Sequence, residues 1–138
     1  MMLMSTRFYY WDGHVSLETI REGSKYYLSF WPSPSKKKKV LYSTIPHLVT
    51  SYDEDVYRIG RKADSYLTMF NLPYESKMSW LPNWYIKHWN YSYVNNNCCR
   101  AVVDALQDLS GLKTRGWIPV WTPEDAWNFA LRIKNELG

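Results

Sequence analysis

In Gly13-His14-Val15-Ser16-Leu17-Glu18 apolar and polar positions alternate, which puts Val15 and Leu17 on one face of a strand and His14, Ser16 and Glu18 on the other. Residues 6–19 and 25–31 are expected to form a strand pair, joined by a turn through Arg21-Glu22-Gly23-Ser24. The period then changes. Val56, Ile59, Gly60 and Ala63 recur at helical spacing behind the cap candidates Ser51 and Asp53, predicting a helix from Asp53 to about Lys62. Tyr66-Leu67-Thr68-Met69-Phe70 fits either a continued helix or a short strand. Residues 74–90 read as helical with an interruption at Pro82, and residues 97–110 as a helix stopped by Gly111. A short apolar piece between Gly116 and Trp121 precedes Thr122-Pro123-Glu124-Asp125, where Thr122 is a cap, proline takes the first helical position and Asp125 follows three residues after the cap. Ala126, Phe129, Ala130 and Ile133 then make the buried stripe of a closing helix. No repeat or linker divides the chain.

With 138 residues the chain has the length of one domain, 1–138, large enough to bury a core without staples. No stretch approaches 18 consecutive apolar residues, so no membrane span is expected. Residues Met1 to Trp11 lack the basic region, apolar core and cleavage site of a secretory signal. The two cysteines are adjacent, a placement that rarely pairs and gives no disulfide framework. Synthesis in the reducing cytoplasm is the expectation, with export by a signal-independent route left open.

The net charge is +4, and its main local source is Lys36-Lys37-Lys38-Lys39, an exposed loop after Ser33-Pro34-Ser35 and before an expected strand Val40-Leu41-Tyr42-Ser43. Such a run is either a solvated loop or a contact for an acidic partner, such as an anionic membrane surface, a phosphorylated substrate or nucleic acid. No helix-turn-helix, RNA-recognition signature or zinc spacing supports specific nucleic-acid binding. His14, His47 and His88 with the cysteine pair match no common zinc pattern, and six scattered glycines form no phosphate loop, so neither metal nor cofactor is expected. Asp53, Glu54 and Asp55 read as helix N-terminal charges rather than as a glycosidase pair.

Candidate chemistry centres on Asn95-Asn96-Asn97-Cys98-Cys99-Arg100. Asn97 is a good N-cap, and Cys98 would occupy the first helical turn, where unpaired N–H groups and the helix dipole favour a thiolate. The alternative is that Cys98 and Cys99 are two small apolar packing residues. His14 supplies a general-base candidate, on the open face of a strand behind a glycine that lets another chain approach. His47, after Pro46 in an expected loop, and His88, among bulky aromatics, are weaker competitors.

A histidine strand, a second strand ending Tyr27-Leu28-Ser29-Phe30-Trp31-Pro32 and a later Asn97-Cys98 helix occur in an order that resembles the circularly permuted branch of the NlpC/P60 papain-like superfamily, which includes lecithin:retinol acyltransferase-like proteins and bacterial relatives. The resemblance runs from about His14 to the C-terminal helix. It implies an α+β fold in which a small antiparallel sheet packs against the cysteine helix, and it favours a strand at 66–70. Carried over by position, Cys98 is the nucleophile, His14 the base, and Cys99 falls where only a small residue is needed. The family's third polar residue comes from the strand after the histidine strand, which implies Ser29; serine orients an imidazole less well than Asn, Asp or His, and Glu18 or a backbone carbonyl is the alternative. The implied activity is a cysteine-dependent hydrolase of peptidase or amidase type acting through an acyl-enzyme on a peptide, amide or acyl substrate, with acyltransferase or lipid and thioester hydrolase activity as alternatives on the same fold.

Aromatic residues make up 17% of the chain, including 12 Tyr and 8 Trp, and the cluster Trp80, Trp84, Tyr85, Trp89, Tyr91 and Tyr93 is too dense to be all buried. Trp84, Trp89 and Tyr91, with Trp31 at the end of the second strand, are therefore candidate substrate-binding residues. The reading from another class is a non-catalytic module that binds through this aromatic surface. The small size would also suit an effector or toxin domain.

Overall fold

The computed structural model describes residues 4–32, 46–88, 97–114 and 121–137. The expected strand Val40–Ser43, the lysine run Lys36–Lys39, and the binding candidates Trp89 and Tyr91 lie outside these residues. In chain order the elements are β1 (Ser5–Trp11), β2 (His14–Arg21), β3 (Ser24–Leu28), β4 (Phe30–Pro32), β5 (Pro46–Leu48), α1 (Tyr52–Ile59), β6 (Ser65–Phe70), a 3-10 helix (Glu75–Ser79), α2 (Leu81–His88), α3 (Cys98–Ser110) and α4 (Pro123–Leu137). The architecture is α+β. An antiparallel sheet of order β3-β2-β1-β6 carries the fold, and β4 and β5 form a separate antiparallel pair.

Side-chain alternation in β1 and β2 makes this sheet a middle layer. Phe8, Val15, Leu17, Leu28 and Met69 face a core completed by Val102, Val103, Leu106 and Leu109 of α3 and by Ala126, Phe129, Ala130 and Ile133 of α4. The opposite face presents Tyr9, Trp11 and Tyr27, which pack with Val49 against Tyr52, Val56 and Ile59 of α1. Residues one apart along β1 thus belong to different cores, as the pleat requires.

Several expectations are corrected. Residues 6–19 are two strands, not one: the chain reverses at Asp12-Gly13, with Trp11 opposite His14. Gly13 has φ 94°, so its use is to make the turn, and no atom approaches within 4 Å of where a Cβ would sit. The 25–31 strand breaks at Ser29, because β3 pairs with β2 whereas β4 pairs with β5. Pro46-His47, expected in a loop, lies in β5 opposite Trp31.

Helix ends differ in a similar way. Gly60, expected at a helical position, is the left-handed cap that ends α1 (φ 94°), so the helix does not reach Lys62. The 74–90 region breaks at Trp80 rather than at Pro82, since Pro82 occupies the first turn of α2, where no intrahelical N–H bond is lost. Residues 65–70 are a strand paired with β1. α3 and α4 begin and end at the expected signals: Asn97 caps the first, Gly111 (φ 78°) ends it, and Thr122 and Asp125 bond reciprocally at the start of the second.

Candidate active site

Three local structures converge on one point. The tight turn at Asp12-Gly13 makes His14 the first residue of β2, at the end of the sheet, and strand alternation turns its ring to the α1 face with Ser16. Asn97 fixes the start of α3: its Oδ1 accepts from the Arg100 N–H at 2.9 Å, and its Nδ2 donates to the Trp121 carbonyl at 2.9 Å. Cys98, the first residue of α3, then faces His14 and the backbone N–H of Val15, both of which stabilise its thiolate. His14 is 4% exposed and Cys98 6% exposed, so the pair meets largely away from water.

The far side of the imidazole carries a hydrogen-bond network. His14 Nε2 lies 2.9 Å from Ser29 Oγ and 3.5 Å from Asp55 Oδ2, which leaves Nδ1 as the nitrogen for the thiol. Asp55, fully buried, accepts the Tyr27 O–H at 2.6 Å on Oδ2 and the Trp31 indole N–H at 2.9 Å on Oδ1. Because the single Tyr27 proton goes to Asp55, the Ser16 hydroxyl 2.6 Å away donates to Tyr27. Ser29 also bonds Asp55, so it bridges the imidazole and the carboxylate. The Trp31 ring stacks on His14, with centroids 4.2 Å apart and an angle of 19° between planes, and the Arg58 guanidinium lies over its outer side at 5.3 Å.

This arrangement sets the charges. Burial works against a charge on His14, but the negative charges of Cys98 and Asp55 and their hydrogen bonds outweigh it, pushing the imidazole up to about 9. A hydrogen bond from Cys99, whose sulfur is 4.0 Å away, holds the Cys98 thiol well below its ordinary value; His14 and the Val15 N–H add to the effect against burial. Cys99 moves the opposite way, raised by donating to Cys98 and by its own burial. Asp55 stays below the ordinary carboxylate range: burial opposes its charge, but hydrogen bonds from His14, Ser29 and Tyr27 prevail. The shifts of Cys98 and His14 thus both favour a thiolate–imidazolium pair, with the Asp55 carboxylate on the far side of the ring.

The structure brings Cys98, His14 and Ser29 together. His14 is buried beneath Trp31 rather than on an open strand face. Trp31 is engaged with His14 and Asp55, which makes it part of the site's frame. Trp84 is 43% exposed and stacks on His88, whose Nδ1 is 2.8 Å from the Trp84 carbonyl. Tyr85, by contrast, is buried.

Asp55 is the residue that sequence reasoning missed. Asp53 and Glu54 do serve as first-turn charges of α1, but Asp55 turns inward. A signal existed in the helical period, since Asp55 falls three residues after Tyr52 and four before Ile59, on the apolar stripe. Among the described residues no group of three or more His, Cys, Asp or Glu side chains is arranged to hold a metal ion. No helix among them is long and apolar enough to cross a membrane. No family model, curated protein or solved structure matches the chain.

Proposed function

We propose that the chain is a papain-like thiol hydrolase of the permuted NlpC/P60 type, acting on a peptide, amide or other acyl substrate. The observation that carries this reading is the buried row Cys98, His14, Asp55, in which one imidazole is held between a thiol and a carboxylate. A purely structural cysteine has no need of a buried counter-charge, and burying three ionisable groups costs several kcal/mol that packing with apolar side chains would avoid.

In the reaction, Cys98 Sγ attacks the substrate carbonyl carbon, and the carbonyl π pair moves to oxygen. The Cys98 backbone N–H at the helix start donates to that oxyanion. Collapse of the adduct expels the amine or alkoxide, which takes the proton from His14 Nδ1, and a thioester to Cys98 remains. Neutral His14 then removes a proton from water or another acceptor as it attacks the thioester carbonyl, and collapse of this second adduct breaks the C–S bond, releasing the product and restoring the Cys98 thiolate beside the His14 imidazolium. Asp55, with Ser29 between, keeps Nε2–H fixed and balances the imidazolium charge. Hydrolysis and transfer differ only in the acceptor of the second step.

The experiment is trapping. Incubation with a chloromethyl ketone or acyl fluoride probe, followed by peptide mapping, should place the adduct on Cys98. Cys98→Ala should abolish labelling and His14→Ala should slow it by at least about a hundredfold. Labelling that survives Cys98→Ala, or that is indifferent to His14→Ala in a folded variant, would end the reading.

A second reading rests on Trp80 and Trp84, 48% and 43% exposed, which favour a module that binds a partner through aromatic faces. It predicts that truncating Trp84 abolishes biological activity while Cys98→Ala leaves it intact. An acidic partner engaged by Lys36–Lys39 belongs to the same set of proposals.

A further inference from the structure

On the sheet face that packs against α4, Tyr10 of β1, Ser65 of β6, and Glu124 and Trp127 of α4 line a cavity of about 190 Å³. This is room for about six water molecules, which suits a small functional group rather than a whole metabolite. Its chemistry is one-sided. Trp127 meets Tyr10 edge-on, with centroids 5.7 Å apart at 71°, so two electron-rich ring systems line the pocket. Trp127 also meets Phe8, two residues before Tyr10 on the same strand face, at 6.0 Å.

Among the described residues Glu124 is the charged group that lines the pocket, and none of them bonds its carboxylate. Its neighbour Asp125 makes the cap bonds with Thr122, so Glu124 is not needed to start α4. The cations of α4 are turned elsewhere: Arg132 to Glu136 and the Lys113 carbonyl, Lys134 to the Thr68 carbonyl. Arg61, near Ser65 in sequence, is paired with Asp64. Aromatic faces and a carboxylate attract positive charge, and rings supply none of the oxygen ligands that a hard metal ion requires.

We propose that this pocket binds a small organic ammonium group, seated against Trp127 and Tyr10 with its charge toward Glu124. The proposal does not depend on the thiol chemistry. Tyr10 is nonetheless the cross-strand partner of Val15, whose N–H faces Cys98, so a bound cation would lie one strand from the candidate active site.

The test is a titration of the full chain at constant ionic strength with tetramethylammonium chloride, with n-propylammonium chloride and with tert-butanol as an uncharged control, followed by the Trp127 indole N–H resonance. Either cation should shift that resonance saturably, tert-butanol should not, and Glu124→Gln, a surface change that leaves the core untouched, should weaken binding at least about fivefold. Trp127→Leu, checked for folding by circular dichroism, should remove it. Tighter tetramethylammonium binding assigns a quaternary ammonium ligand; tighter n-propylammonium binding assigns a primary amine. The absence of a saturable shift, an equal response to tert-butanol, or unchanged affinity in Glu124→Gln would overturn the proposal.

Discussion

A carboxylate as buried as Asp55 is tolerable only because Tyr27, Trp31, Ser29 and His14 all give it hydrogen bonds. Asp55→Asn keeps the shape of the side chain and removes its charge, so imidazolium formation at His14 should become harder. On any acyl substrate the variant should lose roughly 10- to 100-fold in kcat with KM changing much less, and its pH profile should shift. Tyr27→Phe should lose less, since Asp55 keeps its other donors. Equal loss in KM and kcat would mean that Asp55 supports the fold rather than the histidine.

The same charges fix how stability depends on pH. His14, raised from 6.5 to about 9, contributes stability that is fully present below pH 6.5 and lost as pH rises through about 9. Cys98, held below 9.0, contributes stability present above pH 9.0 and lost as pH falls through its folded value. Where these two windows overlap, below about 9, the slopes oppose, because the folded ion pair holds one proton between the two groups. Cys98→Ala removes both the lowered thiol and the charge that raises His14, so the stability difference between wild type and Cys98→Ala in urea unfolding should shrink as pH falls from 9.0 through the folded value of Cys98. A difference that stays the same at every pH would show that the folded site holds no thiolate. At this scale Cys98 and His14 were legible from position, one at a helix start and the other on an alternating strand. Asp55 was hidden among Asp53 and Glu54, where its residue type suggested a helix-end charge.

Among elements, α3 sets the register of the site. Asn97 both caps it and ties it to the Trp121 carbonyl, so Asn97→Ala should cost about 1 kcal/mol in urea unfolding and also slow alkylation of Cys98. A cost to stability with an unchanged thiol would separate the cap from the site. Gly111, left-handed at φ 78° with Tyr74 at 3.1 Å from a built Cβ, should cost at least about 1 kcal/mol on mutation to Ala. The starts of α3 and α4 were legible because capping is local chemistry. The break at Ser29 was not, because the residues on both sides of Ser29 keep strand character, and only the pairing of β3 with β2 and of β4 with β5 divides them. Likewise the reversal at Asp12-Gly13 hides inside residues that keep strand character on both sides.

Across the whole molecule the β3-β2-β1-β6 sheet separates two cores, and the site forms where its edge meets one helix from each. Cys98 arrives with α3 from the larger core, and Asp55 arrives with α1 from the smaller. Sequence patterning announces strands and helices but not which helix lies on which face, so the meeting of α1 with His14 was not readable along the chain. The state of the Cys98 thiol is read most directly from the pH dependence of brief alkylation by a small haloacetamide, mapped by mass spectrometry in the wild type and in His14→Ala. Cys98 should react before Cys99, with a midpoint well below pH 9.0 that moves up when His14 is removed. First labelling of Cys99, or a Cys98 midpoint near 9.0 that is the same in both proteins, would contradict a thiolate at Cys98 held by His14.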